Sequence, residues 1–123
     1  CIIALGYNIA GIFGTDQQLV DTLKKAGDTV YERVWQLPLA EEFSEDIKSP
    51  VADIKNIGGD DVYNAGACTA AAFLKEFVGD IPWAHIDIAG PAWSKKDNSY
   101  LSRGATGFGV RLLVEFFLQM RNG

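Results

Sequence analysis

One histidine, His85, and two cysteines, Cys1 and Cys68, are all the imidazole and thiol chemistry this chain holds. A nucleophile–base pair would have to join Cys68 to His85. Both settings suit packing better. His85 lies within an apolar stretch, WAHIDIAG, where a lone imidazole is more often a core group than a base. Cys68 lies in AGACTAAA, a run of small residues in which a thiol reads as packing. A zinc site of the common kinds needs several His or Cys ligands, which this chain does not supply. Carboxylates remain. Asp60 and Asp61 follow Gly58 and Gly59 and could join an oxygen-ligated magnesium or manganese site. Two adjacent acids do not make such a site, and they equally suit a turn. Glu41, Glu42, Glu45 and Asp46 form a second acidic group without any accompanying histidine, in the manner of a solvated helix face. The run GATGFGVR invites a phosphate at a helix N-terminus. It matches neither the dinucleotide-binding spacing nor the Gly-Lys-Ser/Thr of a P-loop, and it reads as a close-packing turn.

The elements that would position these groups alternate in type. Residues 1–5, CIIAL, form a continuous apolar run that predicts a buried strand. Residues 6–14 read as a loop. Thr15 and Asp16 offer an N-cap to a helix over residues 16–25, which Gly27 interrupts. A second helical stretch, residues 29–37, is expected to bury Val30, Val34 and Trp35 and to stop at Pro38. A short acidic helix spans residues 39–48. A strand follows at 51–57, with Asp53 and Lys55 facing a ligand, solvent or a partner subunit. A helix capped by Asn64 runs over 64–78 to a stop at Gly79, and a strand covers 83–88. The order strand, Gly-rich turn, small-residue helix, strand is a βαβ unit and sets the class as α/β. In open α/β sheets ligands sit beyond the C-terminal strand ends, which points to Ile57, Gly58, Asp87, Ala89 and Gly90. Residues 91–106 form a long loop holding Trp93, Lys95, Lys96, Tyr100 and Arg103. A last helix over 107–120 carries Val110, Leu113, Val114, Phe117 and Leu118 as its apolar stripe.

With 123 residues and 48% apolar content, the chain suits a single globular unit. Its net charge of -5 argues against nucleic acid and against an anionic membrane surface as partners. No apolar run approaches the roughly 20 residues that span a bilayer. Two cysteines are too few for a disulfide framework, and a reduced, cytoplasmic setting is the simpler reading. The chain opens on Cys1 with no polar lead-in, which suggests the C-terminal piece of something longer.

Five segments, in order, say more than any single motif: ERVWQLPL, VADIKNIGG, AGACTAAAFLKEFV, PWAHIDIAG and GATGFGVRLLVEF. Together they resemble the C-terminal part of the leucyl aminopeptidase (cytosol aminopeptidase) family, over nearly the whole chain. The resemblance implies the C-terminal part of a three-layer α/β/α sandwich with a mainly parallel sheet. It implies a hydrolase, a metallopeptidase that removes N-terminal residues such as Leu from peptides with two divalent ions, zinc or manganese among them. It also implies a homohexamer. In the family the metal ligands and the catalytic Lys and Arg lie upstream, around an Asn-Thr-Asp-Ala-Glu-Gly-Arg run, which is absent here. Residues 1–123 are therefore expected to be a catalytic domain without its metal-binding half, with no metal held by this chain, no catalytic residue and no activity alone.

What the resemblance carries over is part of the pocket for the substrate's first side chain, namely Ile57, Ala89 and Ala92. Ile57 would offer apolar surface, and the two alanines would leave room for a Leu-sized group. Plain packing is the other reading of all three. The alternative for the whole chain is a non-catalytic α/β binding or assembly module. In either case a partial sheet should expose apolar surface and promote self-association.

Overall fold

The computed structural model describes residues 1–48, 65–97 and 102–123. Its sheet is built around β1 (Ala10–Gly14), which lies between β2 (Val34–Gln36) and β3 (Ala84–Asp87). β1 runs parallel to β2, with Ala10 opposite Val34 and Ile12 opposite Gln36. It runs antiparallel to β3, with Gly11 opposite Asp87 and Phe13 opposite His85. The fold is thus α/β with a mixed sheet among the described residues. The expected strand at 51–57 and the expected cap at Asn64 lie outside them.

The Ile-rich opening is not a strand. Ile2–Leu5 makes one helical turn, α1, which ends where the Gly6 N–H donates to the Ile2 carbonyl at 2.8 Å. Ile3 is 86% exposed. The central strand is instead AGIFG, in the stretch expected to be a loop. The reason is crowding. A Cβ on Gly11 would lie 2.7 Å from the Cys1 sulfur and 3.1 Å from Leu37 Cδ1, and one on Gly14 would run into the Val20 side chain. Small residues fit this slot, although they lack the side chains that give a strand its local preference.

α2 (Gln17–Val30) starts where the Asp16 carboxylate accepts the Leu19 N–H at 2.7 Å. It runs through Gly27 without a break and ends at Tyr31, whose φ is 59°. Gly27 is a packing residue. A Cβ there would sit 2.5 Å from the Glu32 carbonyl oxygen and 3.0 Å from Leu112 Cδ1. The helix expected over residues 29–37 is replaced by the end of α2 and by β2, in which Val34 is buried and Trp35 is exposed.

α3 (Glu41–Asp46) matches the expected acidic helix. α4 (Gly66–Lys75) stops earlier than Gly79, which follows in a turn with φ 70°. The long loop contains a two-stranded ribbon, β4 (Trp93–Ser94) with β5 (Gly104–Ala105). The last helix is α5 (Val110–Asn122), and its buried residues are Leu112 and Phe116. The expected stripe of Val110, Leu113, Val114, Phe117 and Leu118 is exposed. Apolar residues occur on both sides of this helix, so periodicity alone does not choose the face that meets α2.

Alternation along β1 sends Ile12 and Phe13 to opposite faces of the sheet. On one face Ala10 and Ile12 pack with Val20, Leu23 and Ala26 of α2 and with Leu112 and Phe116 of α5. On the other, Phe13 packs with Cys68 and Ala71 of α4.

Candidate functional site

The turn after β3 holds two of the three residues expected to line the substrate pocket. The Ala89 N–H donates to Asp87 Oδ1 at 3.0 Å, so the strand's last carboxylate fixes the first residue of the turn. The Ala92 N–H donates to the Ile88 carbonyl at 2.9 Å, and the Ala92 carbonyl accepts the Thr106 N–H at 3.0 Å. The Thr106 hydroxyl donates to the Pro91 carbonyl at 2.6 Å and accepts the Phe108 N–H at 3.2 Å. Gly90 lies between the two alanines because a Cβ there would run into the Gly6 carbonyl oxygen. The segment is pinned at both ends and presents only methyl groups at 89 and 92. Ala89 is exposed and Ala92 half-buried. Ile57 lies outside the described residues, as do Gly58, Asp60, Asp61 and Tyr100. Because β3 runs against β1, the C-terminal end of β3 lies beside the N-terminal end of β1. The rule for parallel strand ends therefore does not by itself bring Asp87, Ala89 and Gly90 to a site.

Beside this turn lies a cavity of about 470 Å³. Pro91, Trp93 and Thr106 contribute to its wall, while Ala89 and Ala92 do not line it. Its floor is organised by Glu32, which is 3% exposed. One carboxylate oxygen accepts the Gly109 N–H at 2.8 Å and the Leu112 N–H at 3.0 Å, and the other accepts Arg111 Nε at 3.0 Å. A carboxylate from the loop between α2 and β2 thus caps α5, where free amides and the helix dipole favour negative charge. Sequence reading missed Glu32, Arg33 and Arg111. The signal was the adjacent Glu32 and Arg33 in ERVWQLPL and the arginine in GATGFGVR, which carried the resemblance without an individual role.

His85 is a packed imidazole. Its ring stacks on Phe13 at 5.8 Å and on Trp83 at 6.2 Å between centroids. Burial holds its pKa below the ordinary imidazole value, against the opposing pull of the Asp87 charge. Cys68 is buried, and that burial pushes its thiol up, away from the reactive thiolate. No hydrogen bond joins the two among the described residues. The same residues contain no group of three or more His, Cys, Asp or Glu side chains able to hold a metal ion.

The model of the cytosol aminopeptidase family, catalytic domain, matches residues 1–114. This chain belongs to the cytosol aminopeptidase family. It is 55% identical over 116 residues to a probable cytosol aminopeptidase of a Geobacter species, covering 94% of this chain and 23% of that protein. It is 53% identical over 118 residues to a probable cytosol aminopeptidase of Rippkaea orientalis, covering 96% of this chain and 23% of that one. Among solved structures, a point mutant of tomato leucine aminopeptidase superposes with a TM-score of 0.85 at 39% identity, over 96% of this chain and 22% of that chain. The chain therefore spans about a quarter of the length of the aminopeptidases it matches. The comparisons favour the aminopeptidase family over a free-standing binding or assembly module. No helix among the described residues is long and apolar enough to cross a membrane.

Proposed function

We propose that this chain is the C-terminal portion of the catalytic domain of a metal-dependent aminopeptidase that releases N-terminal residues such as Leu from peptides. The observation that carries this reading is the match of nearly the whole chain to less than a quarter of each relative. In this reading the two divalent metal ions, zinc or manganese, and the groups that act on the peptide bond belong to the remainder of the enzyme. The chain contributes sheet, packing helices and one wall of the pocket for the first side chain, formed by Ala89, Ala92 and Ile57. The rigid turn at Ala89 and Ala92 supports that role. Backbone hydrogen bonds hold the wall in place, and small side chains leave space for a Leu-sized group. The parent works in the cytoplasm as a homohexamer, and this chain keeps a tendency to self-associate.

The test is hydrolysis of Leu-p-nitroanilide with added manganese by the purified 123-residue chain. The expected result is no turnover above buffer. Turnover proportional to chain concentration and retained through further purification would show that the chain carries its own catalytic groups, contrary to this reading.

A further inference from the structure

The cavity beside the β3–β4 turn carries a charge balance unlike that of the chain around it. Arg33, Lys95, Lys96 and Arg111 line it against a single carboxylate, Glu32, among the described residues, in a protein of net charge -5. Glu32 does not neutralise the wall at large. Its oxygens are already committed to two backbone amides and to Arg111. At the start of α5 the Gly109 and Leu112 amides are taken by Glu32 and the Val110 amide by the Gly107 carbonyl.

Arg33 stands apart from Arg111. Its guanidinium carbon lies 4.6 Å from the centre of the Tyr31 ring, which holds the side chain in place through a face rather than through a hydrogen bond. Its Nε atom is buried and has no hydrogen-bond partner among the described residues. A buried charged donor without an acceptor is costly, and no carboxylate is hydrogen-bonded to this atom among the described residues. Lys95, also on the lining, repeats the arrangement, with its ammonium 5.1 Å from the centre of the Tyr7 ring. The Ser94 hydroxyl donates to the Lys96 carbonyl at 2.6 Å, and Asp97 Oδ1 accepts the Arg103 N–H at 2.7 Å.

We propose that this cavity binds a small oxyanion, a phosphate or carboxylate group on a solute that fits about 470 Å³, with Arg33, Lys95 and Lys96, which line it, as its cationic partners. A planar guanidinium and ammonium groups around a space that also carries aromatic rings are the parts that oxyanion recognition uses. Ala89 and Ala92 do not line the site, and it does not depend on the aminopeptidase reading.

The experiment is a titration of the 123-residue chain with inorganic phosphate and, separately, with succinate. Each is matched in ionic strength by sodium chloride and followed by calorimetry and by the Nε–H resonance of Arg33. The expected result is saturable binding with one site and a downfield shift of that resonance. The probe that produces it at the lower concentration identifies phosphate or carboxylate as the preferred chemistry. Arg33→Gln is expected to weaken binding by about tenfold or more. Lys95→Gln, an exposed position, tests the same wall without risk to the fold and is expected to weaken binding by a smaller factor. Equal affinity in wild type and in Lys95→Gln, or a shift reproduced by sodium chloride alone, would overturn the proposal.

Discussion

His85 sits between two aromatic rings, Phe13 and Trp83, on a strand whose residues are all half-buried. That position gives it a measurable effect on stability without a catalytic one. Burial lowers its pKa in the folded state, so the unfolded chain takes up the proton first. Stability is therefore full above the unfolded value, about 6.5, and is lost as pH falls through it. His85→Phe keeps a ring between its neighbours and removes the titration. Between about pH 7.5 and about pH 5.5, the urea midpoint of the wild type is expected to fall further than that of the variant. Parallel falls in the two proteins would mean that the imidazole does not couple to folding. Cys68, pushed up by burial on the other side of Phe13, is expected to stay inert in the same range.

At the scale of elements, α5 depends on a residue far from it in sequence. Glu32 follows the turn that ends α2 and reaches the first turn of α5 through three hydrogen bonds. Glu32→Ala leaves two helix amides without their acceptor and should cost roughly 1.5–3 kcal/mol. Glu32→Gln retains one oxygen and should cost less. Denaturant melts of the two variants check the order, and equal stability of wild type and Glu32→Ala would show that water replaces the carboxylate fully. This long-range cap was invisible in the sequence, as was the packing role of Gly27, because both arise only when α2 and α5 meet. The strand at Ala10–Gly14 was hidden for a related reason. Its glycines fit the close approach of Cys1, Leu37 and Val20, and locally they look like a loop. Conversely, the Ile-rich CIIAL has strand propensity but no place in the sheet. What was legible rested on local signals: the Asp16 cap, the acidic helix α3, the small-residue helix α4 and the strand around His85. Of the candidate pocket, Ala89 and Ala92 came from resemblance. The hydrogen bonds that make their turn rigid come from Asp87 and Thr106, whose roles a linear reading does not display.

For the whole molecule, the exposed side of α5 is the feature with the largest consequence. Val110, Val114, Phe117 and Met120 are each more than half exposed, and Leu113 and Leu118 border them. Phe77 and Ile81 after α4 are 70% and 68% exposed. Apolar surface on this scale is uncommon on a monomer that stays apart from other molecules. In aminopeptidases about four times longer than this chain, neighbouring parts of the protein or of the oligomer would be available to cover it. Alone, the chain has only other copies of itself. Sedimentation over a range of concentrations is therefore expected to show reversible self-association. The double variant Val114→Glu with Phe117→Glu places two charges on that face while leaving Leu112 and Phe116, the buried residues of the same helix, in contact with α2. It is expected to shift the equilibrium toward monomer with little change in melting temperature. A wild type that remains a single monomeric species throughout would show that the α5 face does not drive assembly. Loss of assembly together with a collapse in melting temperature would instead mean that the face contributes to the fold of the chain itself.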